Sequence, residues 1–243
     1  MKKYGFTLAE VLITLGIIGV VAALVMPGLI ANYQKQETVT RLKRAYSFLY
    51  QAYTLSEAYN GTSDSWAYKG KTRADGIDFL DTYIFPYLKT TKICRTNNVE
   101  CGFTYHESYK ALNGQPAGMG NNDAENVSVM LAGGTSINFI VAVSRIYNYL
   151  IVMVDVNGPK KPNVVGKDTF RFNLFFNGER GFKPVGAGLT RNALLNTGGV
   201  CENKLTYPSS YACNKNISGV AAGQLCSALI MLDGWQIKDD YPW

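Results

Sequence analysis

Between Phe6 and Ile30 the chain reads FTLAEVLITLGIIGVVAALVMPGLI, an almost wholly apolar run broken by one charge, Glu10. A helix of about 25 residues rising about 1.5 Å per residue is long enough to cross the hydrocarbon core of a bilayer. Nothing downstream is apolar enough to do the same. The expected architecture is therefore a soluble head carried on one hydrophobic helix, preceded by the short basic leader MKKYG.

Glu10 narrows the reading. An ionisable side chain in a membrane segment costs about 2.5–3.5 kcal/mol near the centre, less towards an end, and normally has a partner. The segment offers no Lys, Arg or His. A cut after Gly5 would create an α-amino group on Phe6, at nearly the membrane depth of Glu10 in a neighbouring copy. That cation supplies the missing partner.

Gly5-Phe6-Thr7-Leu8-Ala9-Glu10, followed by the apolar run, resembles the processing site of type IV pilins and type II secretion pseudopilins. The resemblance covers roughly residues 2–30. It implies cleavage after Gly5 by a prepilin peptidase, methylation of the new Phe6 amine, and a role for Glu10 in registering subunits within a helical filament. An ordinary secretory signal, with Val21-Ala22-Ala23 as its cleavage site, is a competing reading. It leaves Glu10 unexplained. A plain single-span anchor is the other. The resemblance places the N-terminus in the cytoplasm and the head in the periplasm, whereas counting charges points the other way: Lys2 and Lys3 precede the span, and Lys35, Arg41, Lys43 and Arg44 follow it.

The remaining length suffices for one head of good size. Loss of Lys2 and Lys3 with the leader would lower the formal charge from +6 to +4. Four of the positives cluster just beyond the span, where they suit lipid headgroups. So modest an excess is no argument for nucleic acid. All five cysteines fall in the head, where disulfides are permitted. Cys94–Cys101 is a plausible local pair. Among the rest, Cys213–Cys226 is preferred, with Cys201–Cys213 close behind. Zinc is poorly supported, since no CxxC occurs and the sole histidine, His106, lies five residues from Cys101.

Within the span, Gly16, Gly19 and Ala23 bring small residues near one face, which suits close helix packing. Pro27-Gly28 should then kink or locally melt the helix. Beyond it, Val39, Leu42, Tyr46, Leu49 and Tyr53 recur at three- and four-residue intervals, predicting an amphipathic second half to about Tyr59, ended by Asn60-Gly61. Residues Thr62–Gly76 read as a loop and Ile77–Lys89 as a short helix limited by Pro86. From Cys101 to Asn126 the chain is a polar connection. Its glycines, Gly114, Gly118 and Gly120, are too irregular to cradle a phosphate.

Strand signals begin at Val127. Val127–Leu131 and Ser136–Val143 flank a glycine turn, Ile146–Val156 is the strongest β run, and Asp168–Phe176 alternates apolar and polar residues. The expected fold is α+β, with a long N-terminal helix packed on an antiparallel sheet of three to five strands, as the pilin resemblance also implies. Between the last two strands, Asp155, Asn157 and Asp168 offer hard oxygen ligands suited to Ca²⁺. The major pseudopilins bind calcium in a head loop, but the spacing here matches neither that site nor an EF-hand. A turn capped by Asp and Asn side chains is the plainer alternative. Trp235 and Trp243 suggest a tail packed onto the head, or else a partner-binding patch.

No catalytic constellation accompanies His106, and no Walker-type motif is present. The expectation is a structural subunit and not an enzyme. Its parts are a leader (residues 1–5), a membrane and filament-core helix (6–30), an amphipathic extension (31–59) and a disulfide-bearing head (60–243). The resemblance implies as partners other copies and homologous subunits, the prepilin peptidase, membrane lipid, and an inner-membrane assembly platform with its ATPase. A DNA-uptake pilin and a membrane-anchored binding protein without a filament role are the alternatives.

Overall fold

A computed structural model describes residues 5, 7–68, 72–103, 109–117, 126–140, 149–176, 180–202 and 204–243. It resolves into two compact units, residues Met1–Glu37 and Thr38–Trp243. The first consists chiefly of the N-terminal part of helix α1, which runs Leu8–Asn60. Of the kink or local melting expected at Pro27-Gly28, melting does not occur, because helical structure continues through both residues. Proline removes only one backbone donor, and the bonded turns on either side carry the helix past it. Gly61, with φ +79°, ends the helix in the left-handed region that glycine tolerates.

The second unit is the head. Its sheet has six antiparallel strands in sequence order: β1 (Thr90–Cys94), β2 (Asn126–Leu131), β3 (Ser136–Ile140), β4 (Tyr149–Asp155), β5 (Thr169–Phe175) and β6 (Gly181–Pro184). A second, two-stranded sheet pairs β7 (Gly198–Val200) with β8 (Thr206–Pro208). The expected range of three to five strands was too low because the edge strands carry little signal. β1 turns mostly polar residues outward, and β6 is four residues long and ends in Pro184. The expected strand residues 141–143 and 146–148 lie outside the described residues.

Within the head, α1 buries Val39, Leu42, Ala45, Leu49, Ala52 and Tyr53 in the main core. Tyr46, half-buried, sits 5.7 Å from the Phe172 ring and 5.5 Å from Phe182. Val127, Val129, Ile137, Phe139, Leu150, Val152, Val154, Phe170 and Leu174 complete this face, at alternate positions along their strands. The opposite face is also covered. Phe103, Tyr109, Tyr149, Ile151, Met153 and Phe175 form a second cluster there. Double coverage explains why every residue of β4 and β5 is buried and why the β4 sequence reads as a near-continuous apolar run.

Helix α2 spans Arg73–Tyr83, four residues ahead of the expected start and short of the expected end at Lys89. Thr72 and Asp75 form a reciprocal capping box, in which the Thr72 hydroxyl accepts from Asp75 N–H and the Asp75 carboxylate accepts from Thr72 N–H. That cap starts the helix within a segment polar enough to resemble a loop. Helix α3 (Cys226–Leu232) lies beside β5 and adds Cys226, Ala228, Leu229 and Ile230 to the main core, while Ser227 donates to the Arg171 carbonyl.

Candidate functional site

At the N-terminus, Thr7 caps α1. Both its N–H (2.8 Å) and its hydroxyl (2.7 Å) donate to Glu10 Oε2, while Glu10 N–H donates back to Thr7 Oγ1 at 3.3 Å. Glu10 therefore has donors within its own chain, neutral ones and not the basic partner expected of it. The Thr-x-x-Glu spacing is the signal that reveals them. Both contacts converge on Oε2, leaving Oε1 without a donor among the described residues. Gly5 is exposed, and Phe6 lies outside the described residues.

Along this helix, Leu8, Leu12, Leu15, Ile18, Leu24 and Leu29 are all more than half exposed. In its most apolar 18-residue stretch no residue is buried. A Cβ added at Gly16, Gly19 or Gly28 would meet nothing within 4 Å. Such a continuous apolar surface is far larger than a soluble monomer exposes. Lipid or other protein must cover it.

The head cysteines form two disulfides. Cys94–Cys101 ties β1 to the following turn, and Cys213–Cys226 ties the segment after β8 to α3. Cys201 is buried and belongs to neither. His106 lies outside the described residues.

The turn joining β4 to β5 brings Asp155, Asn157 and Asp168 together. Asp168 Oδ1 accepts from Val164 N–H at 2.5 Å, and Oδ2 from Asn163 N–H at 2.7 Å and Asn157 Nδ2 at 3.2 Å. Asp155 accepts from the Tyr109 hydroxyl at 3.0 Å and from Asn157 N–H at 3.3 Å. Burial, followed by the nearby Asp168 charge, pushes the Asp155 carboxyl well above its ordinary range. Burial also raises Asp168, against the opposing pull of its backbone donors. Gly158 is obligatory in the turn: its φ is +63°, and a Cβ would lie 2.3 Å from the Gly134 carbonyl oxygen. No group of three or more His, Cys, Asp or Glu able to hold a metal occurs among the described residues. The oxygens on hand for a cation are thus two carboxylates and neutral carbonyl or amide groups. Tyr109 and Asn163 belong to the cluster although neither stood out in the sequence. Tyr109 arrives from a distant polar connection, and Asn163 from a left-handed backbone position at φ +53°.

The C-terminal tail is packed. Trp235 lies 5.4 Å from the Tyr46 ring, and the Tyr241 hydroxyl donates to the Gly166 carbonyl. Arg191 clamps Asp233 and Asp240, whose carboxyls it holds below their usual range, and Lys238 adds a second cation to Asp233.

Residues 1–26 match the prokaryotic N-terminal methylation motif. Residues 28–243, nearly the whole remainder, match a family of unknown function, DUF6613. The chain belongs to this family. No curated protein and no solved structure matches it. The methylation motif is that of type IV pilin-like precursors, structural proteins and not an enzyme family. Its placement over a single exposed apolar helix is that of a protein anchored in a membrane by one span. The head of this DUF6613 chain is thus covered by one family and its N-terminal helix by another motif.

Proposed function

We propose that this protein is a filament subunit, made as a precursor, cut between Gly5 and Phe6, and stacked through residues 6–30 into a pilus- or pseudopilus-like fibre. The observation that carries the reading is the bare apolar surface of Leu8–Ile30, most of which lies within the methylation motif at residues 1–26. Lipid covers that surface in the membrane-bound precursor, and the same helices of neighbouring copies cover it in the fibre. Leader residues 1–5 remain cytoplasmic and the head is exported, an environment in which two disulfides persist.

In this reading Glu10 has two successive roles. In the membrane, its Thr7 contacts reduce the cost of a carboxylate in an apolar segment. In the fibre, Oε1 receives the Phe6 amine of the next copy and sets the register. A prepilin peptidase, an assembly platform and its ATPase act on the chain from outside it. Among such fibres, a type II secretion pseudopilus is favoured by the extended head.

Intact-mass measurement on the mature protein tests the processing step. The expected chain begins at Phe6 and is one methyl heavier than the unmodified sequence. A mature chain starting near Ala23, or one retaining Met1, overturns the reading. Glu10→Val should insert into the membrane normally and fail to enter filaments. Filaments of normal yield would remove the proposed amine–carboxylate pair.

A further inference from the structure

Along the chain, the cations that follow the apolar run belong to one stretch of α1. Folding brings others to the same end of the head. Arg41 Nη1 donates to the Val156 carbonyl at 3.3 Å, where β4 passes into the β4–β5 turn. The β2–β3 hairpin (residues 132–135) lies between helix and turn. Thr135 Oγ1 donates to the same carbonyl at 3.1 Å, and a Cβ at Gly133 would lie 3.7 Å from Arg44 Nη1. One at Gly158 would strike the Gly134 oxygen. Lys160 and Lys161 follow Gly158 within the turn, and both are exposed, as are Lys43 and Arg44. Exposed Lys110 is tied to the turn as well, its N–H donating to the Asn163 carbonyl at 2.9 Å.

Little offsets these charges. Residues 38–44, 132–135 and 156–167 contain no Asp or Glu, and the nearest acid along α1 is Glu37. The carboxylates that flank the turn, Asp155 and Asp168, are buried. Glu100 is paired with Lys92 at 2.6 Å. On the tail, Asp240 is held by Arg191, and Asp239 shares a cleft with Lys215. Among the described residues, no carboxylate pairs with Lys43, Arg44, Lys160 or Lys161. The opposite end of the head, where α1 stops and Arg73 ties α2 to the start of β2, exposes Asp64 and Asp78 instead.

We propose that Lys43, Arg44, Lys160 and Lys161, flanked by Lys110, form a surface that docks the head onto anionic lipid headgroups. Two observations select a bilayer among anionic partners. The basic end is the one at which α1 enters the head, so the chain itself tethers it to the membrane that holds Leu8–Ile30. The cations are also exposed and spread over two segments, which suits the diffuse charge of a lipid surface and not a shaped ligand. The helix rises about 21 Å between Ile30 and Arg44, against a headgroup layer of about 5–8 Å. The head must therefore lean for these side chains to reach phosphates, and that lean is a measurable event. The proposal rests on anchoring by the single span and not on the filament reading.

The test uses the full-length chain in nanodiscs of phosphatidylcholine, with or without an equal part of phosphatidylglycerol. Ala132→Cys carries a donor dye on the exposed hairpin without changing its charge, while Cys201 is buried and spared. An acceptor linked to lipid headgroups reads the approach of this end to the surface. Energy transfer should be about twofold higher in the anionic discs, and return to the neutral-disc value at about 1 M salt, where the Debye length falls to about 3 Å. Adding Lys160→Glu and Lys161→Glu should abolish the anionic increment and leave head Tm and insertion unchanged. Equal transfer in the two bilayers overturns docking. An increment that survives high salt shows apolar insertion, and one that survives the double reversal places the contact elsewhere; either overturns this surface. Salt-sensitive retention on duplex DNA without a lipid increment would assign the cations to nucleic acid and overturn the lipid partner.

Discussion

The first 37 residues and the head solve opposite problems. Residues Leu8–Ile30 form a helix with almost no apolar side chain covered. The head covers both faces of its central strands and adds two disulfides. One region is stable only in company, with lipid or with other copies. The other carries its core within itself. The difference teaches where each part's energy is gained: intermolecularly for the helix, on folding for the head.

The comparison can be broken at several points, the first of them all-or-none. Gly5→Leu should leave the leader attached to every chain, visible as an unshifted intact mass, while the head unfolds at its normal temperature. A lowered head Tm would show that the leader matters to folding. Next in size, Phe172→Ala in the head core should cost about 3–5 kcal/mol by denaturant unfolding. Leu15→Ala, in the exposed helix, should leave head stability unchanged.

Removing the Cys213–Cys226 bridge with Cys213→Ser and Cys226→Ser together should cost about 2–4 kcal/mol. Reduction of the natural protein should shift its unfolding in the same direction. The smallest effect concerns Glu57, which accepts from Tyr53 and Ser63 and pairs with Arg180. These contacts hold its carboxyl below the ordinary range despite the opposing effect of burial. A depressed folded pKa contributes stability above the unfolded value, and that stability is lost as pH falls through the folded one. Head Tm should therefore drop on acidification below about pH 4.5, and Glu57→Gln should flatten that part of the profile. An unchanged acid limb in the variant would assign the loss to other carboxylates.

What could be read in advance follows from how local the signal is. Glu10, Gly5 and the apolar run lie within one stretch, and spacing alone makes them a motif. The stripe from Val39 to Tyr53 is equally local, and it is the face that the core covers. Strand β4 was visible because burial on both faces demands apolar residues throughout, and β5 through its apolar–polar alternation, although its polar Thr169, Arg171 and Asn173 are buried as well. Strands β1 and β6 were not, since an edge strand needs few apolar side chains and can end in proline. Thr72 was missed for a different reason: the start of α2 depends on a cap, and Asp75-Gly76 masks the helical pattern. At the β4–β5 turn, Asp155, Asn157 and Asp168 were legible as oxygen donors. Tyr109 and Asn163 were not, because their roles arise from a distant contact and from backbone conformation.

The sequence by itself determined that one helix is apolar on every side, that an N-terminal methylation motif runs into it, and that the remainder folds as an α+β head. Those properties rest on composition and short spacing, which chain connectivity alone preserves. Only the tertiary structure decided which sheet face α1 covers, which cysteine stays out of the disulfides, and how Glu10 is capped. It also buried the Asp155 and Asp168 carboxylates together at the β4–β5 turn, a juxtaposition that no linear pattern records, because folding creates it.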